Sequence, residues 1–175
     1  DEPDTQGEGR FEYDDGLISK AIKQLKDAAE NRTRTLYDNN KEVYSLLRYG
    51  VSITPEVGEN KQTVWFIDWD HPENNIFSIA EEVTILGENK KRPDIVLYVN
   101  GIALGVLELK RSTVSISEGI RQNLSNQTNT FIGPFFSTIQ LVMAGNDSQG
   151  IKYAMIDTKE KYFMSWKEPG DRFPL

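Results

Sequence analysis

The sequence contains no cysteine and a single histidine, His71. The first absence excludes a disulfide framework, a thiolate nucleophile and any Cys-ligated metal. The second excludes catalytic schemes and metal sites that need two imidazoles. A cation in this chain must therefore be held by oxygen, which favours Mg²⁺, Mn²⁺ or Ca²⁺ over Zn²⁺. No apolar run approaches the roughly 18–20 residues that span a bilayer. No basic, apolar and small-residue series at the start resembles a signal peptide. A cytoplasmic chain with no membrane contact is expected. No Gly-Lys-Ser/Thr occurs, so a Walker-type phosphate loop is excluded. Positive charge is also short: 20 Lys and Arg stand against 27 Asp and Glu, a net charge of −7. A free-standing nucleic-acid binder usually presents a basic surface, because phosphate contacts dominate affinity. If this chain acts on DNA, another part of a larger protein supplies most of the grip.

What remains is one domain of 175 residues, 38% hydrophobic, long enough to bury a core without staples. Residues 1–15 are acidic, with Gly and Pro and no apolar period, and read as a flexible arm. Residues 16–166 read as the folded domain. Residues 167–175, with EPGDRFPL at the end, read as a linker into another domain.

Within the domain the apolar period first fits helices. Leu17, Ile18, Ala21, Ile22, Leu25, Ala28 and Ala29 predict a packing helix over 16–34, capped by Ser19 or Asp15. A second is expected over 41–49, capped by Asn39 or Asn40 and ended by Gly50. From Val51 the period changes to two. Strands are expected over 51–57, 63–69 and 76–86, the last bulged near Glu81-Glu82. Asp70 to Asn75 form a turn-rich loop, and His71 there reads as a surface imidazole. A polar helix over 118–128, capped by Ser115 or Ser117, precedes strands over 139–144, 151–156 and 161–166. The expected fold is α+β or α/β, a mixed central β-sheet flanked by helices.

The most informative stretch is RPDIVLYVNGIALGVLELK, residues 92–110. Two apolar runs meet at Asn100-Gly101, a strong hairpin signal because both residues tolerate positive φ. Asp94 stands at the entry to the first run, and Glu108 and Lys110 at the exit of the second. Charges placed at the ends of core strands are costly unless something pairs with them. Two carboxylates beside a lysine are the set that metal-dependent phosphodiester hydrolysis needs. The carboxylates fix Mg²⁺, and the ammonium orients water or stabilises developing charge. Glu108 and Lys110, two apart in one strand, share a face.

Asp94 reaches that face only if the register slips. A strict two-residue turn would set Asp94 opposite Leu107 and turn Glu108 to the other side of the sheet. A three-residue loop with Gly101 as a left-handed bulge would set Asp94 opposite Val106, on the correct face. Such a bulge, or an equivalent one elsewhere in these strands, is therefore expected.

Pro93-Asp94 followed by Glu108-Leu109-Lys110 resembles the PD-(D/E)xK nuclease signature. The whole stretch, with LLRYGV at 46–51, FIDWDHPENNIF at 66–77, GPFF and FMSW, resembles the N-terminal region of the restriction (R, or HsdR) subunit of type I restriction enzymes. That resemblance implies a restriction-endonuclease-like core and Mg²⁺-dependent cleavage of double-stranded DNA in a prokaryotic cytoplasm. Asp94 and Glu108 would be metal ligands, with the Leu109 carbonyl completing the sphere, and Lys110 would assist the water or the transition state. The family often carries Gln-x-x-x-Tyr on the next helix. Gln122 matches the Gln, Asn126 stands at the Tyr position, and Gln127 with Phe131 repeats the spacing further on. ATP would be used by motor domains beyond this chain, in a complex with methylase and specificity subunits. Two other readings remain open: a catalytically silent docking module of the same large protein, and an unrelated sugar- or protein-binding β domain.

Overall fold

The computed structural model describes residues 13–168. The expected arm up to residue 12 and the expected linker beyond residue 168 lie outside the described residues. Asp14 and Asp15 belong to the first helix, α1 (Asp15–Ala29), whose N-cap is Asp14 accepting from Leu17 N–H at 2.9 Å. The expected caps Ser19 and Asp15 therefore sit one position or more inside the helix. The helix ends at Ala29, five residues short of expectation.

α2 (Leu36–Tyr49) starts earlier than expected, because Thr35 caps it through Oγ1 and Asp38 N–H. Asn39 and Asn40 are buried inside the helix instead of capping it. Asn40 Nδ2 donates within 3.2 Å to the carbonyls of Phe136, Ser137 and Ile139, which ties α2 to residues 136–139. β1 (Val51–Ile53) and β2 (Gln62–Val64) pair in a separate antiparallel ribbon.

The expected strand over 63–69 stops at Val64. Residues 65–75 instead satisfy their backbone through side chains. Asn75 and Asp68 exchange bonds, with Asp68 N–H donating to Asn75 Oδ1 and Asn75 Nδ2 donating to the Asp68 carbonyl, both at 2.8 Å. Asn100 Nδ2 reaches the Phe66 carbonyl at 2.8 Å, so the loop is tied to the hairpin turn.

The main sheet has six strands in the order of the chain: β3 (Phe77–Glu81), β4 (Ile95–Val99), β5 (Ile102–Leu109), β6 (Leu141–Asn146), β7 (Gly150–Ala154) and β8 (Met164–Ser165). All neighbours are antiparallel except β5 and β6. That parallel pair is joined by α3 (Ile116–Asn126), capped by Ser115. β3 ends where Glu82 adopts φ +51°, so the bulge expected near Glu81-Glu82 is the end of the strand. One face of the sheet buries Val96, Val106, Val142, Ala144 and Ala154 under Ile116 and Ile120 of α3 and Ile132, Phe136 and Ile139. The other face meets α1 and α2 near the hairpin, at Val99, Ile102 and Leu104. Phe77 and Ile79 on that face stay exposed.

Candidate active site

The β4–β5 turn is a strict two-residue turn, with Asn100 at φ +50° and Gly101 at φ +79°. Val99 pairs with Ile102 and Tyr98 with Ala103. The expected three-residue loop is therefore absent, because Asn and Gly both accept the left-handed conformation a tight hairpin needs. The register shift that the charges demand lies instead in β5. Leu97 pairs with Gly105, leaving Leu104 unpaired as a bulge. Its carbonyl accepts from Gln140 N–H at 2.8 Å, on the opposite neighbour. Beyond the bulge Ile95 pairs with Leu107, and the next step places Asp94 across from Glu108. Asp94 does not oppose Val106, but it does share the face of Glu108 and Lys110. Its Oδ2 accepts from Leu109 N–H at 2.7 Å, which fixes the carboxylate against β5.

Glu108 is fully buried. Its Oε2 accepts from Gln122 Nε2 at 2.7 Å and lies 3.9 Å from Lys110 Nζ. Gln122 Oε1 in turn accepts from Lys110 Nζ at 2.7 Å. Gln122 thus bridges the two, and it arrives from α3, which packs on β5 and β6. Gly119 permits that approach: a Cβ there would stand 3.1 Å from Ala144 Cβ and 3.5 Å from Lys110 Cγ. Glu108 Oε1 is enclosed and has no hydrogen-bond partner among the described residues. A buried oxygen without a donor is costly when charged. Burial pushes the Glu108 carboxyl up to about 7, with the neighbouring Asp94 charge adding to the rise and Lys110 opposing it.

The sign of this shift makes a stability prediction. The folded chain holds a proton on Glu108 that the unfolded chain releases near the ordinary glutamate value. The associated stability is fully present below about pH 4.5 and is lost as pH rises through about 7. The loss amounts to roughly 3 kcal/mol. Urea denaturation of the metal-free chain at pH 5, 7 and 8.5 should show this decline, and Glu108→Gln should flatten it. An unchanged slope in Glu108→Gln would assign the pH dependence to another group.

The donor set suits a hard cation. Two carboxylates face one another, one with a bare buried oxygen, and the Leu109 carbonyl follows Glu108 directly in the strand. Mg²⁺ is commonly held by one or two carboxylates and keeps several waters. Among the described residues no cluster of three or more His, Cys, Asp or Glu gathers, so further ligands would be water or substrate oxygen. The site lies outside two cavities of about 700 and 610 Å³, which are lined from α1 and its neighbours.

The other candidates resolve as structural. Asp68 is buried and accepts from His71 N–H and Asn74 Nδ2, each at 2.9 Å, and these bonds hold its carboxyl below the ordinary value, that from Asn74 foremost. His71 Nδ1 lies 3.8 Å from it on the surface. Asn126, at the expected tyrosine position, is buried in the core. Gln127 Oε1 accepts from Asp157 N–H, and Phe131 lies beneath the ammonium of Lys91. Lys91, whose charge reaches Glu108, carried no signal in the sequence beyond being one of two lysines in a turn.

A mixed sheet with three helices, and charged strand ends converging beside α3, defines an α+β protein of the restriction-endonuclease-like class. A family model described as type I restriction enzyme R protein N terminus matches residues 4–161. The chain belongs to that family. It is 32% identical over 103 residues to a putative type I restriction enzyme MjaVIIIP endonuclease subunit from Methanocaldococcus jannaschii, covering 57% of this chain and 9% of that protein. It is 36% identical over 90 residues to the HindI endonuclease subunit of Haemophilus influenzae, covering 49% and 8%. Over 124 residues it is 28% identical to the SsaAORF53P endonuclease subunit of Staphylococcus saprophyticus, covering 70% and 13%. The matches span only about a tenth of these relatives. Among the described residues no helix is long and apolar enough to cross a membrane.

Proposed function

We propose that this chain is the DNA-cleaving domain of a type I restriction enzyme R subunit, hydrolysing phosphodiester bonds of double-stranded DNA with Mg²⁺. The observation that carries this reading is the buried, donorless Oε1 of Glu108 directly across from Asp94, with Lys110 bracketed beside it. Asp94, Glu108 and the Leu109 carbonyl would hold the cation. When bound, it withdraws charge from phosphoryl oxygens and lowers the pKa of water. Lys110, held by Gln122 rather than free to swing, presents its ammonium where an attacking water or a developing negative charge would lie. Gln122 is a positioning residue: it sets both the Lys110 head and one Glu108 oxygen. The net charge of −7 agrees with a cutter brought to DNA by other parts of the enzyme. Those would be the ATP-driven motor domains and the methylase and specificity subunits.

Divalent-ion binding tests this reading. Mn²⁺ or Mg²⁺ titrated calorimetrically into the chain should bind about tenfold more tightly at pH 8 than at pH 6, since Glu108 must release a proton. Asp94→Asn should abolish the binding. A wild-type chain that binds neither ion at millimolar concentration would leave the silent docking module as the better account.

A further inference from the structure

The connection between β3 and β4 carries a cation that the site so far described does not use. Residues 82–94 are clamped at two levels. Ile85 and Lys91 exchange backbone bonds, at 2.8 and 3.1 Å. The tip is fastened to the segment after α3: Glu88 N–H donates to the Phe131 carbonyl at 3.2 Å, and Asn89 Nδ2 donates to the Thr130 carbonyl at 2.8 Å. The fit at Gly87 leaves no room for a side chain, since a Cβ there would lie 2.1 Å from the Phe131 carbonyl oxygen. Lys91 is therefore presented from a fixed backbone.

Its side chain is half-buried, and Nζ lies 3.9 Å from the centroid of the Phe131 ring. A ring face attracts a cation but carries no net charge and leaves the ammonium's N–H donors largely unspent. Three other cations of this part of the fold are engaged. Lys110 is held by Gln122 and Glu108. Arg92 pairs with Glu82 at 3.3 Å, and Arg121 pairs with Glu118 and Glu160. Lys91 has no carboxylate and no hydrogen-bond acceptor among the described residues. It precedes Asp94 by three positions, and its charge is felt at the Glu108 carboxyl. A positioned, partly desolvated ammonium without an anion, beside a carboxylate pair suited to a cation, fits an anion that arrives with the substrate.

We propose that Lys91 is a second phosphate-binding residue of this site, taking a backbone phosphate of the DNA next to the one that is cut. The Phe131 ring lies against the ammonium and aims it. Lys110 then serves the reacting phosphate, and Lys91 holds the neighbouring one in register. The proposal rests on reading Asp94 and Glu108 as a cleavage site.

The test uses the full-length subunit assembled with its methylase and specificity partners, nicking supercoiled plasmid with Mg²⁺ and ATP. Lys91→Met keeps an unbranched apolar chain beside Phe131 and removes the charge. It should slow nicking about ten- to a hundredfold, the weight of one charge-assisted hydrogen bond. Lys91→Arg should recover most of the rate. Nicking by Lys91→Met at the wild-type rate would overturn the proposal, as would a loss that Lys91→Arg fails to recover. Asp94→Asn run in parallel separates the two levels. If Asp94→Asn is inactive while Lys91→Met is fully active, only the role of Lys91 falls. If Asp94→Asn nicks like wild type, the cleavage site itself falls, and Lys91 with it.

Discussion

Asp94→Ala and Lys110→Ala, each introduced into the full-length protein, should reduce DNA nicking by about a thousandfold or more. The reason differs between them. Asp94 supplies one of two carboxylates, and Glu108 alone, fully buried and desolvated, would hold a cation poorly. Lys110 supplies the positive charge at the reacting centre, and nothing else in the Glu108–Gln122 bridge replaces it. Gln122→Ala should cost less, about tenfold, because Lys110 keeps its charge and loses only its anchor. Plasmid nicking followed over time, with circular dichroism to show that each variant is folded, measures all three. Cleavage unchanged in both Asp94→Ala and Lys110→Ala would refute the assignment.

Deleting Leu104 should leave folded protein that nicks within about tenfold of wild type, with Asp94 still across from Glu108. Leu104 is the residue that β5 inserts without a partner on β4. Without it Val99–Ile102 and Tyr98–Ala103 run straight on into Leu97–Gly105, Val96–Val106 and Ile95–Leu107, the pairs that the bulge already joins. β5 also keeps its parallel neighbour, where Glu108 pairs with Ala144 and Val106 with Val142, so the fully buried Val96 stays in the core. What the deletion removes is the Leu104 carbonyl that accepts from Gln140 N–H and the Leu104 side chain packed near α1 and α2, which should lower stability by about 2 kcal/mol or more. Leu104→Ala keeps the carbonyl and should lose only the packing. Nicking rates and melting temperatures of the two variants make the comparison. A folded deletion variant that no longer nicks would show that the pairing beyond Gly105 depends on the inserted residue.

Much of this site was legible in the residues. The hairpin follows from two apolar runs around Asn100-Gly101, and the face shared by Glu108 and Lys110 from the period of a strand. Period and charge together required a register shift, since a two-residue turn alone would separate Asp94 from Glu108. The site of the shift was not legible. Any residue of β5 can bulge, and the choice of Leu104 depends on Gln140, which takes its carbonyl from outside the hairpin. The helix caps show the same division. Ser115 caps α3 from a purely local rule. Thr35 displaces Asn39 and Asn40 at α2 because carbonyls of residues 136–139 claim Asn40. The strand expected over 63–69 fails at Trp65 for a related reason. Asp68, Asn75 and Asn100 supply the hydrogen bonds that a sheet ladder would have supplied.

The sequence by itself determined the hairpin and the strand face that Glu108 and Lys110 share, because turn chemistry and side-chain period are local. The class of protein and the candidate role of Gln122 came from the resemblance of residues 92–110 and their neighbours to a known family. Tertiary structure decided how those residues meet. It set Asp94 directly across from Glu108, closed Gln122 between Glu108 and Lys110, and fixed Lys91 over Phe131. Each of these depends on a partner distant in the chain, and burial, which makes the bare Glu108 oxygen significant, exists only once the core has closed around it.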